Sequence, residues 1–132
     1  MQAPIVGVPQ TDGNWDVTWL GNSAGWLNGT AFPTWAGNSV LTGHVYGADG
    51  QPGPFVHING LWYGDQIIIH AGGGAYVYEV RQVMQVTPGA VSAAITHEQA
   101  PWVTLIACRG YDEASNSYLY RVVVRAALVE VR

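Results

Sequence analysis

The residue with the clearest chemical potential is the single cysteine, Cys108. A lone cysteine can form neither an internal disulfide nor a site with several thiolate ligands. The apolar run over residues 102–108 predicts a strand that ends at Cys108. At such a position, the side chain is either a small buried packing residue or a nucleophile. A nucleophilic thiol needs a nearby imidazole or cation that favours the thiolate, and a donor for the oxyanion formed in acyl transfer.

The cation that best fits this requirement is Arg121, thirteen residues after Cys108 (121 − 108 = 13). It starts a strand expected over about 118–131, and a hairpin of the two strands would place the guanidinium beside the thiol. Alternation places Arg125 on the same face as Arg121, among valines. Guanidinium groups near an apolar interior need acidic partners, for which we consider Glu79, Glu113 and Asp65.

Four histidines could supply the imidazole, and spacing alone gives none of them a clear advantage. His44 lies in the short strand expected over 39–46, directly after a glycine that lets another backbone or a ligand approach closely. His97 lies in the connection that precedes the cysteine strand, and it is the second choice. The other two, His57 and His70, lie inside expected strands.

The order and spacing of three motifs resemble the signature of the sortases, the cysteine transpeptidases of bacterial cell envelopes. The resemblance covers most of the chain from about Pro4, including the segments 24–27 and 37–38. One departure is Ala107, because the family usually has threonine immediately before the cysteine. The three motifs are Thr42-Gly43-His44, then Thr104-Leu105-Ile106-Ala107-Cys108, then Arg121 followed by Val122-Val123-Val124-Arg125.

The resemblance implies an all-β fold, an eight-stranded sortase-like β-barrel with one or two short helices in long loops. It also implies that His44, Cys108 and Arg121 are catalytic and converge at one end of a groove. The implied reaction cleaves an LPxTG-like sorting signal of a surface protein and transfers the acyl group to an amine of the cell wall or a pilin. No cofactor is expected. Substrate contacts are expected at Val91, Ala94, Ile95, Thr104 and Ala107.

The resemblance implies that residues 1–132 are a single sortase catalytic domain, truncated at the N-terminus, where sortases carry a membrane anchor. The expected location is therefore the extracytoplasmic face of the bacterial cell membrane, with contact to the membrane only through that missing anchor. Some sortases bind calcium, but the nine acidic residues are scattered and form no carboxylate cluster in the sequence, so no metal site is expected.

The elements that must position these residues are short β-branched and aromatic runs between turn residues. Gly72-Gly73-Gly74 predicts a tight hairpin. Two longer connections are expected: residues 21–37, with a helical turn around Ala24–Leu27, and residues 88–101, with a short helix around 93–96. The expected strands cover about 4–8, 15–19, 39–46, 55–58, 66–71, 75–87, 102–108 and 118–131.

Composition excludes several other classes of function. Apolar residues make up 48% of the chain and charged residues 11%, so the chain should fold. The net charge is −4 and there is no lysine, so a clustered basic surface for nucleic acid is excluded.

A papain-like peptidase is disfavoured because the papain cysteine precedes the papain histidine in sequence, whereas here His44 precedes Cys108. The alternative from another class is a non-catalytic glycan-binding β module built on Trp15, Trp19, Trp26, Trp35, Trp62 and Trp102.

Overall fold

A seven-stranded sheet forms most of the protein. The structure, a computed structural model, describes residues 2–47, 49–112 and 117–132, with the backbone alone described at 108–112 and 117–118. Two short 3-10 helices lie at Ile58–Gly60 and Pro88–Ala90, and one α-helical turn, α1, spans Val91–Ala94. The strands are β1 (Ile5–Val8), β2 (Gln10–Thr11), β3 (Asn14–Trp15), β4 (Ala24–Leu27), β5 (Gly37–Thr42), β6 (Gln66–Ala71), β7 (Gly74–Val86), β8 (Pro101–Asp112) and β9 (Ser117–Val131).

The strand order in the sheet is β1-β4-β5-β8-β9-β7-β6, and β2 and β3 form a separate two-stranded ribbon. The pairs β1–β4 and β5–β8 are parallel, and the other neighbours in the sheet are antiparallel. The sheet curls so that its two edge strands, β1 and β6, line one cavity of about 320 Å³. This half-barrel confirms the expected mostly-β, barrel-like fold, with seven strands in the curled sheet and two in the ribbon among the described residues.

Alternation along β9 separates two apolar clusters, one on each face of the sheet. Val122, Val124 and Ala126 belong to the inner cluster, which fills the curl together with Leu41, Phe55, Tyr78, Val103 and Leu105. Val123 belongs to the outer cluster, which covers the other face. The alternation predicted for this strand is therefore confirmed from Val122 to Ala126. The buried members of the outer cluster are Val8, Leu20, Leu27, Val40, Ala94, Ile106 and Val123.

The hairpin predicted at residues 72–74 is confirmed. Gly72 and Gly73 connect β6 to β7, and both have positive φ angles, 58° and 81°. Tight two-residue turns of the type I′ class require such angles. The long strands expected over 66–71, 75–87, 102–108 and 118–131 are also confirmed, with β8 extending to Asp112. The strand expected over 39–46 differs from the observed one: β5 begins at Gly37 and ends at Thr42.

Three local predictions were wrong, each because side-chain or tertiary contacts outweigh the sequence pattern. Residues 16–19 are not a strand, because the Asp16 carboxylate accepts hydrogen bonds from the Thr18 hydroxyl (2.6 Å) and amide (3.0 Å) and makes a turn. These bonds also lower the pKa of Asp16. The expected helical turn at Ala24–Leu27 is instead β4, inserted between β1 and β5. Residues 55–58 form turns and the start of a 3-10 helix, with Phe55 and Ile58 both buried in the inner cluster.

The helix expected in the second connection lies slightly earlier than predicted. It was centred on residues 93–96, whereas α1 spans Val91–Ala94 and follows the 3-10 turn Pro88–Ala90. A single helical turn is unstable alone, so packing and hydrogen bonds to the sheet must hold it in place. Those contacts are made with the strands that carry the candidate site.

Candidate active site

Cys108 and Arg121 are direct neighbours across two antiparallel strands. The register of β8 and β9 pairs them, two positions beyond the pair Ile106–Val123. Directly opposed residues in an antiparallel ladder have Cα atoms about 4.5–5.5 Å apart. Arg121 is half-buried, and its Nη1 donates a hydrogen bond to the Tyr120 carbonyl oxygen at 3.3 Å. The predicted hairpin therefore brings the backbone of the cysteine next to that of the arginine.

His44 lies at the same end of the sheet, on the other side of β8. The parallel pairing of β5 with β8 ends at Thr42–Ile106, and His44 and Cys108 each follow two residues later. The Thr42 hydroxyl donates a 2.8 Å hydrogen bond to the Ile106 carbonyl oxygen, which ties the two strands together just before these residues. His44, Cys108 and Arg121 therefore lie at the same end of the three adjacent strands β5, β8 and β9.

Residues 53–55 fold back against the end of β5 and hold the backbone of His44 and Val45 by hydrogen bonds. The Phe55 amide donates a hydrogen bond to the His44 carbonyl oxygen at 3.1 Å, and the Gly53 amide donates to the Val45 carbonyl oxygen at 2.8 Å. Gly43 packs against the Phe55 ring, where a methyl group would lie 2.9 Å from a ring carbon. His44 itself is half-buried. Its position is therefore set by the 53–55 segment as well as by β5.

The other three histidines lie elsewhere. His97 packs against Gly37, where an added methyl would lie 3.0 Å from His97 Cε1. Gly37 begins β5 and His44 follows its end, so the two imidazoles are roughly 20 Å apart along the strand at about 3.3 Å per residue. His57 is exposed beside the 3-10 helix, and His70 is exposed on the edge strand β6.

Arg125 has a different environment from Arg121. It pairs in register with Thr104 on β8, and its Nη2 lies 3.0 Å from Glu98 Oε1. Its guanidinium carbon also lies 4.7 Å from the centre of the Trp102 ring, a cation–π geometry. Glu98 was not among the partners expected from the sequence. Of those expected, Glu79 pairs with Arg81, Asp65 accepts a hydrogen bond from the Trp62 amide, and Glu113 lies outside the described residues.

The expected substrate-binding residues of the 88–101 connection pack on the outer face of the sheet. Val91, Ala94 and Ile95 all contact the outer cluster, which includes Val40 and Ile106. Ala94 is buried, whereas Val91 and Ile95 are half-buried and retain exposed surface. The connection therefore forms an apolar wall beside the strands that carry His44 and Cys108.

Thr104 and Ala107 occupy less accessible positions than a direct substrate contact would need. Both are fully buried. The Thr104 hydroxyl donates a 2.7 Å hydrogen bond to Asn38 Oδ1, and the Ala107 methyl packs in the inner cluster. Because they are three residues apart on β8, their side chains lie on opposite faces of the sheet. Sequence reasoning missed the roles of Asn38, Gly53 and Phe55, because their contacts depend on pairings between distant segments; the only local signal was the Gly-Asn dipeptide at the start of β5.

The tryptophans do not form a single platform. Trp15 and Trp26 pack against the outer and inner clusters respectively, and Trp102 lies against Arg125. Trp19, Trp35 and Trp62 are exposed. Half of the set named for a glycan-binding surface therefore serves packing.

Within residues 2–47, 49–112 and 117–132, no three His, Cys, Asp or Glu side chains come together in a way that could hold a metal ion. None of the helices in the described part of the chain has the length and apolar character needed to cross a membrane.

Comparisons with known proteins give a consistent result. The family model of the sortase domain matches residues 1–129. Sortase A from Corynebacterium diphtheriae, solved as a lid mutant, is similar with a TM-score of 0.74 and 28% identity, covering 97% of this chain and 63% of that one. Sortase C from Clostridium perfringens SM101 is similar with a TM-score of 0.71 and 25% identity, covering 98% of this chain and 64% of that one.

A sortase from Actinomyces oris shares the fold, with a TM-score of 0.72 at 23% identity over 98% of this chain and 72% of that chain. This chain thus spans less than two thirds of the length of the Corynebacterium and Clostridium proteins. A search of curated proteins found no match. Because the sortase domain model covers nearly the whole sequence, and solved sortases share its fold, the chain belongs to the sortase family.

Proposed function

We propose that this chain is a cysteine transpeptidase that cleaves an LPxTG-like sorting signal and transfers the acyl group to an amine. The observation that carries the proposal is the pairing of Cys108 with Arg121 on β8 and β9, with His44 at the matching end of β5. A thiol, an imidazole and a fixed cation at one place are the groups that thiol-based acyl transfer needs.

In the first half of the reaction, the Cys108 thiolate attacks the carbonyl carbon of the threonine in the sorting signal. The bond between that carbon and the glycine nitrogen breaks, His44 gives a proton to the departing amine, and a thioester remains on Cys108. Arg121 stabilises the negative charge on the carbonyl oxygen during the attack. Its position opposite Cys108 in the ladder supports this role.

In the second half, an incoming amine attacks the thioester carbonyl carbon and loses a proton to neutral His44. The carbon–sulfur bond breaks and Cys108 is released as the thiolate. By membership of the family, the acceptor is an amine of the cell wall or a pilin, and the enzyme works at the extracytoplasmic face of the bacterial membrane. Water in place of the amine would give peptide hydrolysis through the same intermediate.

The test is mass spectrometry of the intact protein after incubation with a panel of sorting-signal peptides. A matching peptide should add the mass of its acyl part to wild-type protein, and an added amine should remove that mass and yield a transfer product. Cys108→Ala should show no adduct, while its thermal unfolding temperature confirms that it folds. Absence of adduct with every peptide, or more than a few per cent residual turnover in Cys108→Ala, contradicts the proposal.

Labelling of the thiol provides a second, independent readout. A small thiol-directed reagent should modify Cys108, and a matching peptide should protect it, because a catalytic thiol is accessible and partly ionised. A nearly inert cysteine would instead indicate a packing residue.

A further inference from the structure

The connection over residues 88–101 is attached to the sheet by a buried side-chain amide. Asn38 is only 2% exposed, and its Nδ2 donates hydrogen bonds to the carbonyl oxygens of Ala94 (2.9 Å) and Thr96 (3.0 Å). Its Oδ1 accepts the hydrogen bond from the Thr104 hydroxyl. The amide thus uses both donors and its acceptor, and the pattern fixes its orientation because the two carbonyls can only accept.

A second attachment lies a few residues further along the same connection. Glu98 forms its ion pair with Arg125 on β9, and Arg125 is the register partner of Thr104. The Gly37 amide also donates a 3.2 Å hydrogen bond to the Ala100 carbonyl oxygen. We call the four side chains of Asn38, Thr104, Arg125 and Glu98 the loop anchor. It joins β5, β8 and β9 to the connection.

The loop anchor holds the segment that carries the apolar wall. α1 has only four residues, too few to be helical without outside support. Its Ala94 carbonyl is one of the two that Asn38 holds, and the neighbouring Val91 and Ile95 are the half-buried apolar residues beside the site. The position of this wall relative to Cys108 is therefore set by groups that have no need to touch a substrate.

We propose that Asn38 and Thr104 are positioning residues for peptide recognition, acting through the 88–101 connection. This inference rests on the proposed transpeptidase function. Without the loop anchor, the 88–101 connection would adopt several positions relative to the sheet. Its apolar residues would then contact the apolar side chains of the peptide less well. Binding of the peptide would weaken, while the chemistry at Cys108 would persist once a peptide is bound.

The test uses Thr104→Val, which nearly preserves shape and removes the donor to Asn38 Oδ1, with Thr104→Ser as the variant that restores a hydroxyl. Thr96→Val is the matched control, because the Thr96 side chain is exposed and makes only one long hydrogen bond, 3.4 Å to the Ser92 carbonyl oxygen. Glu98→Gln tests the second attachment, with the exposed Glu130→Gln as its control.

Two measurements are needed: hydrogen exchange of the amides in residues 88–100 in the free protein, and the KM and kcat of peptide cleavage. Losing a buried hydrogen bond should speed exchange in this connection about tenfold. KM should rise about tenfold with kcat within about twofold, and the rate of thiol labelling should be unchanged. Thr104→Ser and both controls should behave like wild type.

Unchanged exchange in folded Thr104→Val and Glu98→Gln would overturn the anchor. Faster exchange with an unchanged KM would overturn the positioning role. If wild-type protein cleaves no peptide, the proposed transpeptidase function fails, and with it the positioning role in recognition, whereas the exchange data still decide whether the anchor exists.

Discussion

Gly53 packs directly on the backbone of His44, with no room for a side chain. A Cβ atom added at Gly53 would lie 2.1 Å from the His44 carbonyl oxygen and 2.7 Å from its carbonyl carbon. Van der Waals contact requires considerably more, so Gly53→Ala must move one of the two segments. Because misplacing a catalytic group by about 1 Å can cost about a hundredfold in rate, we expect Gly53→Ala to lower kcat by about that factor.

The control for this variant is Gly60→Ala, where an added methyl has open space and the backbone φ is not in the left-handed region. Peptide cleavage measures the rate, and thermal unfolding shows whether each variant folds. A folded Gly53→Ala protein with wild-type kcat would contradict the role of the 53–55 segment in positioning His44 for the reaction.

His44→Ala should be nearly as damaging as loss of the cysteine, because His44 follows β5 at the end of the sheet where β8 and β9 pair Cys108 with Arg121. His97→Ala should retain activity, since His97 packs against Gly37 at the opposite end of β5. His57→Ala and His70→Ala should also be tolerated. The measurement is peptide cleavage by the four variants, each checked for folding. An inactive His97→Ala together with an active His44→Ala would mean that His97, and not His44, supplies the imidazole.

The two arginines of β9 should respond differently to lysine. Arg121 and Arg125 are four residues apart, about 13 Å along the strand, and the register pairs Arg121 with Cys108 and Arg125 with Thr104. Arg121→Lys should lower kcat by about a hundredfold, because an ammonium cannot reproduce the planar guanidinium fork. Arg125→Lys should mainly raise KM by weakening the attachment of Glu98. Similar losses of kcat in both variants would argue against Arg121 as the group that contacts the carbonyl.

Replacing residues 88–101 with the corresponding connection of a sortase that reads another signal should change which peptide is cleaved. The connection supplies the apolar wall of Val91 and Ile95, and each methylene contact contributes only about 1–3 kcal/mol to discrimination. The measurement is kcat/KM for a panel of peptides, with thermal unfolding as the folding control and thiol labelling to show that Cys108 stays reactive. An unchanged preference in a folded, labelled chimera would contradict this role and make residues 21–37 the next segment to exchange.

The long strands, and the pairing of strands that are close in sequence, could be predicted from the sequence. The Cys108–Arg121 hairpin followed from thirteen residues of spacing and a polar connection, and the Gly72-Gly73 turn from its residue types. β4 could not be predicted, because Ala24–Leu27 contains no β-branched residue and becomes a strand only between β1 and β5. The partner of Arg125 was missed for a related reason: Glu98 lies 27 residues away in sequence, in a connection whose path depends on Asn38.

The parallel pairing of β5 with β8 has a consequence for the order in which the site assembles during folding. Thr42 and Ile106 are 64 residues apart, whereas the paired residues Asp112 and Ser117 of β8 and β9 are only five residues apart in sequence (117 − 112 = 5). Closing a long loop costs more entropy, and contacts between distant segments form slowly. We therefore expect the backbones of Cys108 and Arg121 to become neighbours before His44 joins them. During refolding, fluorescence or exchange probes on the β8–β9 hairpin should report structure earlier than the recovery of activity.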